Sequence, residues 1–322
     1  MSESLAPTDD QRPDGPIRIP VEHRVDPAWV PEAPLAPPSA HGGLIDVFRR
    51  RYLLKLLVQK EIQARYQGSV LGLLWSYVQP LVRFVMYFFV IGIVLGLHSS
   101  VPNYAIHIFS AIVMVHFFTE NFTSGTRAIV RNKALVRKMA MPREMFPVAA
   151  VIVSAIHTFP QMLILFIGAV VTGWTPTVGS IGAAMLSIAI ITVFGTALAL
   201  LFSALNVFFR DFQNIVSTLT IFTHWAVPMI YPFARLAESS LVHDNKWFYY
   251  LYLADPLAPA VLLMQRAFWL PTFIHDPAKM GWPDLPHHYW LLGWVTLLVS
   301  FVVLGLCQLA FNRLENKIAE RV

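Results

Sequence analysis

Over most of this chain the apolar positions form long runs rather than stripes. A helix needs about 20 apolar residues to cross the hydrocarbon of a bilayer. Six runs fall in or near that range: Leu71–Leu97, Tyr104–Phe122, Pro147–Thr172, Ser180–Phe209, Ile215–Tyr231 and Tyr289–Phe311. A further stretch, Trp247–Leu270, is apolar but broken by Asp255, Pro256 and Pro259. A central acid with two prolines fits two short helices dipping into the membrane better than one span. The pattern changes over Leu44–Arg65. There Ile45, Phe48, Tyr52 and Leu56 recur at helical spacing, with Asp46, Arg49, Arg50, Lys55 and Gln59 mostly between them. This predicts an amphipathic helix in the membrane interface. The alternative is the inner end of the first span, and the Arg49–Arg51 cluster favours the interface.

Residues 1–43 follow no apolar pattern. They carry nine prolines, seven acids and three arginines, a net charge of −4. Such a segment cannot bury a core and predicts a disordered tail, either merely solvated or a docking element. The predicted architecture is an all-α polytopic membrane protein. Its parts are the tail (1–43), an N-terminal amphipathic interface helix (44–66), a six-span domain (67–311) and a short C-terminal tail (312–322). The six-span domain includes short re-entrant outer helices within 234–288. Gly68-x3-Gly72 and Gly92-x3-Gly96 are candidate close-packing helix contacts, and Pro80 and Pro160 candidate kinks. No repeat relates residues 44–180 to 181–322, which suggests one half of a symmetric dimer.

Charge placement sets the orientation. With six spans, 19 of the 24 Lys and Arg fall on one side, in residues 1–76, in 124–146, at Arg210 and after Phe311. Four (Arg235, Lys246, Arg266, Lys279) fall on the other, and Arg83 lies within a span. The positive-inside rule puts both termini in the cytoplasm. Composition agrees. The chain of 322 residues is 56% hydrophobic and 13% charged, with a mean hydropathy of +0.56. A water-soluble domain has about 25% charged residues, so a soluble enzyme and a nucleic-acid-binding module are excluded. The single cysteine, Cys307, excludes an internal disulfide.

Chemistry-bearing motifs are scarce. No G-x-x-x-x-G-K-[ST] stretch is present, so ATP is not cradled by a P-loop of this chain. No acidic pair stands at metal-ligand spacing. His98, His107 and His116 are nine residues apart, which turns successive members to opposite helix faces, so no metal site is expected. A chain without an energy source of its own points to a borrowed motor. The segment Ser124–Pro147 is the candidate docking loop, with a short helix over Thr126–Lys138 presenting Arg127, Arg131, Asn132, Lys133, Arg137 and Lys138. Charge alone fits simple membrane-surface retention equally well.

Five segments carry a family resemblance. Gly68-Ser-Val-Leu-Gly72-Leu-Leu-Trp75-Ser-Tyr-Val-Gln-Pro80 resembles the opening of the permeases of type-2 ABC transporters that export polysaccharides. Asn132-Lys133-Ala-Leu-Val-Arg-Lys138-Met-Ala-Met-Pro142-Arg143-Glu144 is similar to their first cytoplasmic loop, and Phe208-Phe-Arg210-Asp211-Phe-Gln-Asn-Ile-Val to their second. Pro228-Met-Ile-Tyr231-Pro232 and Asp255-Pro256-Leu-Ala-Pro259 resemble the outer end of span five and the start of the re-entrant segment. The chain departs from the family at Asp255, where asparagine is common, at Arg83, where apolar residues are usual, and in its proline-rich tail.

The resemblance implies a homodimer of six-span subunits in the bacterial plasma membrane, each docked on a separate ATP-binding subunit that holds the ATP and Mg. This chain then binds no cofactor. The implied cargo is a lipid-linked glycan such as O-antigen, teichoic acid, capsule or cell-wall galactan. Arg49, Arg50, Arg51 and Arg65 become candidates for the polyprenyl pyrophosphate, with plain anchoring to membrane lipids as the alternative. Tyr77, Phe84, Tyr87 and Phe88, with Phe89, become candidate faces for sugars along the path; the alternative is lipid or neighbour packing. Arg83 either lines that path, pairs across the dimer or snorkels toward the inner surface. The competing functions are an ABC exporter of a drug, haem or simple lipid, and a membrane-embedded glycosyl or polyprenyl transferase. The transferase would need an acidic metal-binding pair, and Asp211 stands alone.

Overall fold

The computed structural model describes residues 43–139, 141–237, 239, 246–273, 286 and 288–321. The proline-rich tail, apart from residue 43, and the whole of 274–285 lie outside them. Among the described residues every regular element is helical. Helices α1 (Gly43–Arg49) and α2 (Arg51–Tyr66) precede the spans. Next come α3 (Trp75–Tyr87), which runs into a π-helical segment at Phe88–Val94, and α4 (Leu97–Ser100). The bundle continues with α5 (Tyr104–Arg131), α6 (Lys133–Lys138), α7 (Met145–Val171), α8 (Val178–Phe208) and α9 (Phe212–Ala226). The chain ends in α10 (Phe233–Ala237), α11 (Lys246–Ala254), α12 (Leu257–Phe268) and α13 (Tyr289–Arg321).

Among the described residues five helices are long and apolar enough to cross a membrane: Trp75–Val94, α5, α7, α8 and Tyr289–Glu315. A bent pair, Trp247–Ala254 and Leu257–Thr272, makes up to six. The pair meets at 79° across Asp255-Pro256, where the acid and proline interrupt the apolar run. The predicted span Ile215–Tyr231 is shorter than its apolar run. Helix α9 has 15 residues, about 22 Å at 1.5 Å per residue, against roughly 30 Å of hydrocarbon. Its end follows from Pro228. The residue before a proline avoids the α region, and Val227 is extended at φ −113, ψ 157.

Helix α5 is the centre of the bundle. Of its most apolar stretch 78% is buried, against 11% for the first span. It packs on α3, α7, α8, α9 and α12. Small residues let α5 and α8 approach closely. A Cβ added at Gly125 would lie 2.4 Å from the Ala199 Cβ, and one at Gly195 would lie 2.9 Å from the Asn121 amide nitrogen. The two glycine pairs singled out in the sequence do something else. Gly68 and Gly72 lie in the turn between α2 and α3 at φ +77 and +47, with nothing within 4 Å of an added Cβ. They permit a left-handed turn and do not pack helices. Gly96 also has a positive φ, and only Gly92 meets a neighbour, Tyr104.

The stripe predicted for the N-terminal helix is the exposed one. Ile45, Phe48, Tyr52 and Leu56 face outward. A second set, Val47, Leu54, Leu57 and Val58, is buried against Met145, Phe146, Ala149, Leu200 and Phe311. Helix α2 is therefore seated on α7 rather than held by an interface alone, and it has apolar residues on two sides. The helix predicted over Thr126–Lys138 is also divided. Helix α5 runs on to Arg131, then breaks at Asn132, whose side-chain amide turns back to the Ala128 carbonyl at 2.9 Å. A side chain that bonds its own backbone competes with the helix, and α6 starts afresh at Lys133.

Candidate functional site

The polar side chains concentrate where α2, α3, α5, α7 and α9 meet. The first group lies between α2 and the α5–α6 junction. Glu61, on the inner face of α2, is 7% exposed. Its carboxylate accepts from Asn132 Nδ2 at 2.8 Å and pairs with Arg131 Nη2 at 2.5 Å. Lys60 donates to Asn132 Oδ1 and lies 3.7 Å from the Glu61 carboxylate. One turn further along α2, Arg65 forms an ion pair with Glu120 of α5. The α5–α6 junction and α2 are thus tied together by charge-assisted hydrogen bonds, which are about twice as strong as neutral ones.

Three clefts adjoin this knot. The first, of 340 Å³, has Arg65, Arg127 and Arg131 among its walls, with Glu61, Glu120 and Thr123. The second, of 210 Å³, is enclosed by the α2 end, the start of α3, α5 and α7. The third, of 430 Å³, opens between α3, α5 and α9 and contains Arg83, Tyr87, Glu120, Thr220 and His224. Arg65 is shared by the first and second clefts, Glu120 and Thr123 by the first and third, and His116 by the second and third. The Arg65–Glu120 pair therefore stands where the clefts meet, and a polar surface runs from Arg131 to His224. An apolar margin borders it: Val82, Val85, Met86 and Phe89 of the first span, and Leu219, Phe222 and Trp225 of α9, are exposed.

The residues expected from sequence divide as follows. Of the path candidates, Arg83 and Tyr87 line the third cleft. Phe84 and Phe88 turn toward the bundle: Phe84 meets Phe109 edge-on at 5.1 Å, and Phe88 stacks near Tyr104 at 6.3 Å. Tyr77 is half-buried on α3, and Phe89 is exposed. Of the pyrophosphate candidates only Arg65 lines a cleft described above. Arg50 lies 3.6 Å from Asp46, and Arg49 and Arg51 are exposed. Arg51 and Arg65 stand at opposite ends of α2, roughly 21 Å apart by helical rise, so the four arginines cannot grip one pyrophosphate. The arginines beside Arg65 are Arg127 and Arg131, which charge had placed in the docking set. Lys133, Arg137 and Lys138 are exposed on α6, and Asn132 is buried in the knot.

Several groups at the site escaped the sequence reading: Glu61, Tyr66, Ser76, His157, Gln161, Thr220 and His224. For Ser76, His157, Gln161, Thr220 and His224 the signal was present, because polar side chains inside apolar spans are costly and mark functional surfaces; Glu61 and Tyr66 lie in α2, before the first span.

A protein-family model described as ABC-2 type transporter matches residues 52–269. Among curated proteins, an O-antigen export system permease protein RfbA of Klebsiella pneumoniae is 23% identical over 269 residues, 83% of this chain and 94% of the relative. A protein of the same name from Myxococcus xanthus is 28% identical over 195 residues, 61% of this chain and 74% of the relative. The apolar helices and the family match together make the chain a multi-pass membrane component of a transporter.

Proposed function

Because the chain belongs to the ABC-2 type transporter family, we propose that it is the membrane-spanning subunit of an ATP-driven exporter. Its cargo is a polyprenyl-pyrophosphate-linked polysaccharide, moved from the cytoplasm across the bacterial plasma membrane. The observation that carries this reading is the first cleft. Three arginines converge there beside an open polar surface that leads away along α3, α5 and α9. An alignment over 94% of an O-antigen export permease supports the same cargo class.

The remaining features fit that reading. A lipid pyrophosphate needs cations at the membrane edge; Arg127 supplies one, and Arg65 and Arg131 add charge that their partners Glu120 and Glu61 partly offset. The glycan then passes beside Arg83, Tyr87, Thr220 and His224. The third cleft is open on one side, and the first span leaves most of its surface uncovered, which suits closure of the path by a second copy of the chain. Orientation follows from charge, with both termini cytoplasmic and six crossings, α9 with Val227–Tyr231 being the fifth. The bent pair α11–α12 is then re-entrant from the outer side.

The ATP-binding partner docks on α6 and the exposed Arg137 and Lys138. Its motion reaches the arginine cleft through Asn132, Glu61 and Lys60, because these bonds make α2 follow α6. Depleting the chain in its native cell tests the function. The lipid-linked glycan should accumulate on the cytoplasmic face, and the tagged chain should co-purify with an ATPase. Normal glycan at the surface, or isolation without an ATPase, would refute it.

A further inference from the structure

The second cleft differs in chemistry from its neighbours. Its walls include Tyr66, Trp75, Ser76, His116, His157 and Gln161, contributed by α2, α3, α5 and α7. Most are neutral hydrogen-bonding groups. No carboxylate lines it, and its one arginine, Arg65, is already paired with Glu120. A phosphate would find too little positive charge here. An acyl chain would strip water from many polar groups without replacing their hydrogen bonds, which is costly.

The polar groups are fixed in position. The Tyr66 hydroxyl lies 2.7 Å from both Ser76 Oγ and His157 Nδ1, and Ser76 Oγ is 3.1 Å from the same nitrogen. Gln161 Nε2 is 2.9 Å from His116 Nδ1. Two atoms remain unsatisfied. His157 Nε2 and Gln161 Oε1 have no partner, in side chains only 3% and 1% exposed. Buried polar atoms in folded proteins are rarely left without one. Trp75, half-exposed at the rim, adds a flat apolar face. The volume, 210 Å³, lies below the ~300–1,000 Å³ of pockets for drug-sized ligands, and suits a single ring.

We propose that this cleft binds one pyranose unit, the sugar joined directly to the lipid pyrophosphate. A sugar ring presents hydroxyls that both donate and accept, and axial C–H groups that pack on an aromatic face. The unpartnered His157 and Gln161 atoms are the hydrogen-bonding positions it fills, and Trp75 is the face it stacks on. Position supports the assignment. The cleft shares Arg65 with the arginine cleft, so a pyrophosphate held there places its attached sugar at the door of this one. The permease thereby reads the glycan at its lipid-linked end. This inference rests on the lipid-linked glycan reading above.

The test measures binding to the full-length chain in lipid nanodiscs with its ATP-binding subunit. Two probes are compared: a short polyprenyl pyrophosphate bearing a single N-acetylhexosamine, and the same lipid without the sugar. The wild type should bind the sugar-bearing lipid more tightly. Trp75→Ala and Gln161→Met should each weaken that binding about five- to tenfold, the effect of losing one aromatic face or one hydrogen bond. Neither should change binding of the bare lipid. Arg127→Ala should weaken both lipids alike. Trp75 is half-exposed, so its variant tests the site without emptying a core position. If Trp75→Ala and Gln161→Met weaken both lipids equally, or neither, the sugar site is overturned while the exporter reading stands. If the wild type binds neither lipid, the lipid-linked cargo falls and the site with it.

Discussion

Glu61→Leu offers the sharpest test of how α6 is tied to α2. The substitution removes a carboxylate that is 7% exposed and accepts from Asn132 at 2.8 Å. A hydrogen bond to a charged group contributes about 1.5–3 kcal/mol. The pairs with Arg131 and Lys60 add less, because those side chains are 47% and 49% exposed and such pairs contribute ~1 kcal/mol or below. Asn132 keeps its bonds to the Ala128 carbonyl and to Lys60. The net loss is therefore about 2 kcal/mol, or roughly 3–5 °C in Tm for a chain of this size. Tryptophan fluorescence of the nanodisc-held protein during heating measures it. The discriminating result comes from the double variant. Groups in direct contact do not add, so Glu61→Leu with Asn132→Ala should cost ~1 kcal/mol less than the two singles together. Export per ATP hydrolysed should also fall in Glu61→Leu, because the tie between α2 and Asn132 is reduced to the Lys60 bond. Additive losses within ~0.5 kcal/mol, or unchanged export per ATP, would refute the linkage.

Other outcomes follow from the same geometry. Gly125→Ala drives a methyl to 2.4 Å from Ala199 Cβ. It should destabilise the protein by about 1–3 kcal/mol, and Ala199→Gly in the same chain should restore the melting temperature; no rescue would mean that α5 and α8 meet elsewhere. Arg83→Ala should lower glycan export about tenfold, a change of ~1.4 kcal/mol, at normal protein abundance. Unchanged export would remove Arg83 from the path. Gly68→Val places a β-branched residue at φ +77, a conformation costing roughly 1–2 kcal/mol. A lower melting temperature should result, and an unaltered one would show that the turn can relax.

The sequence alone determined the environment and the inventory of this protein. Runs of about 20 apolar residues have one stable home, so the membrane and most helices were legible, and the break at Asp255-Pro256 was visible because proline and an acid interrupt a buried helix for local reasons. Arg83 was visible as a charge inside an apolar run, and the five motifs named the family. What depends on neighbours was not legible. Helix α2 has apolar residues on two sides, and nothing in their spacing says which side meets α7 and which stays exposed. The role of a glycine depends on its backbone angle and on what lies opposite, so Gly68 and Gly72 looked like packing glycines while Gly125 and Gly195 went unnoticed. Arg127 and Arg131 read as part of a docking surface, and Arg65 as part of a cluster with Arg51. Only the seating of α2 on α7, with its ion pairs to α5, decided that Arg65, Arg127 and Arg131 share a cleft. Helical rise separates Arg51 from Arg65 by four turns, whereas contact between two helices joins residues 62 or more positions apart.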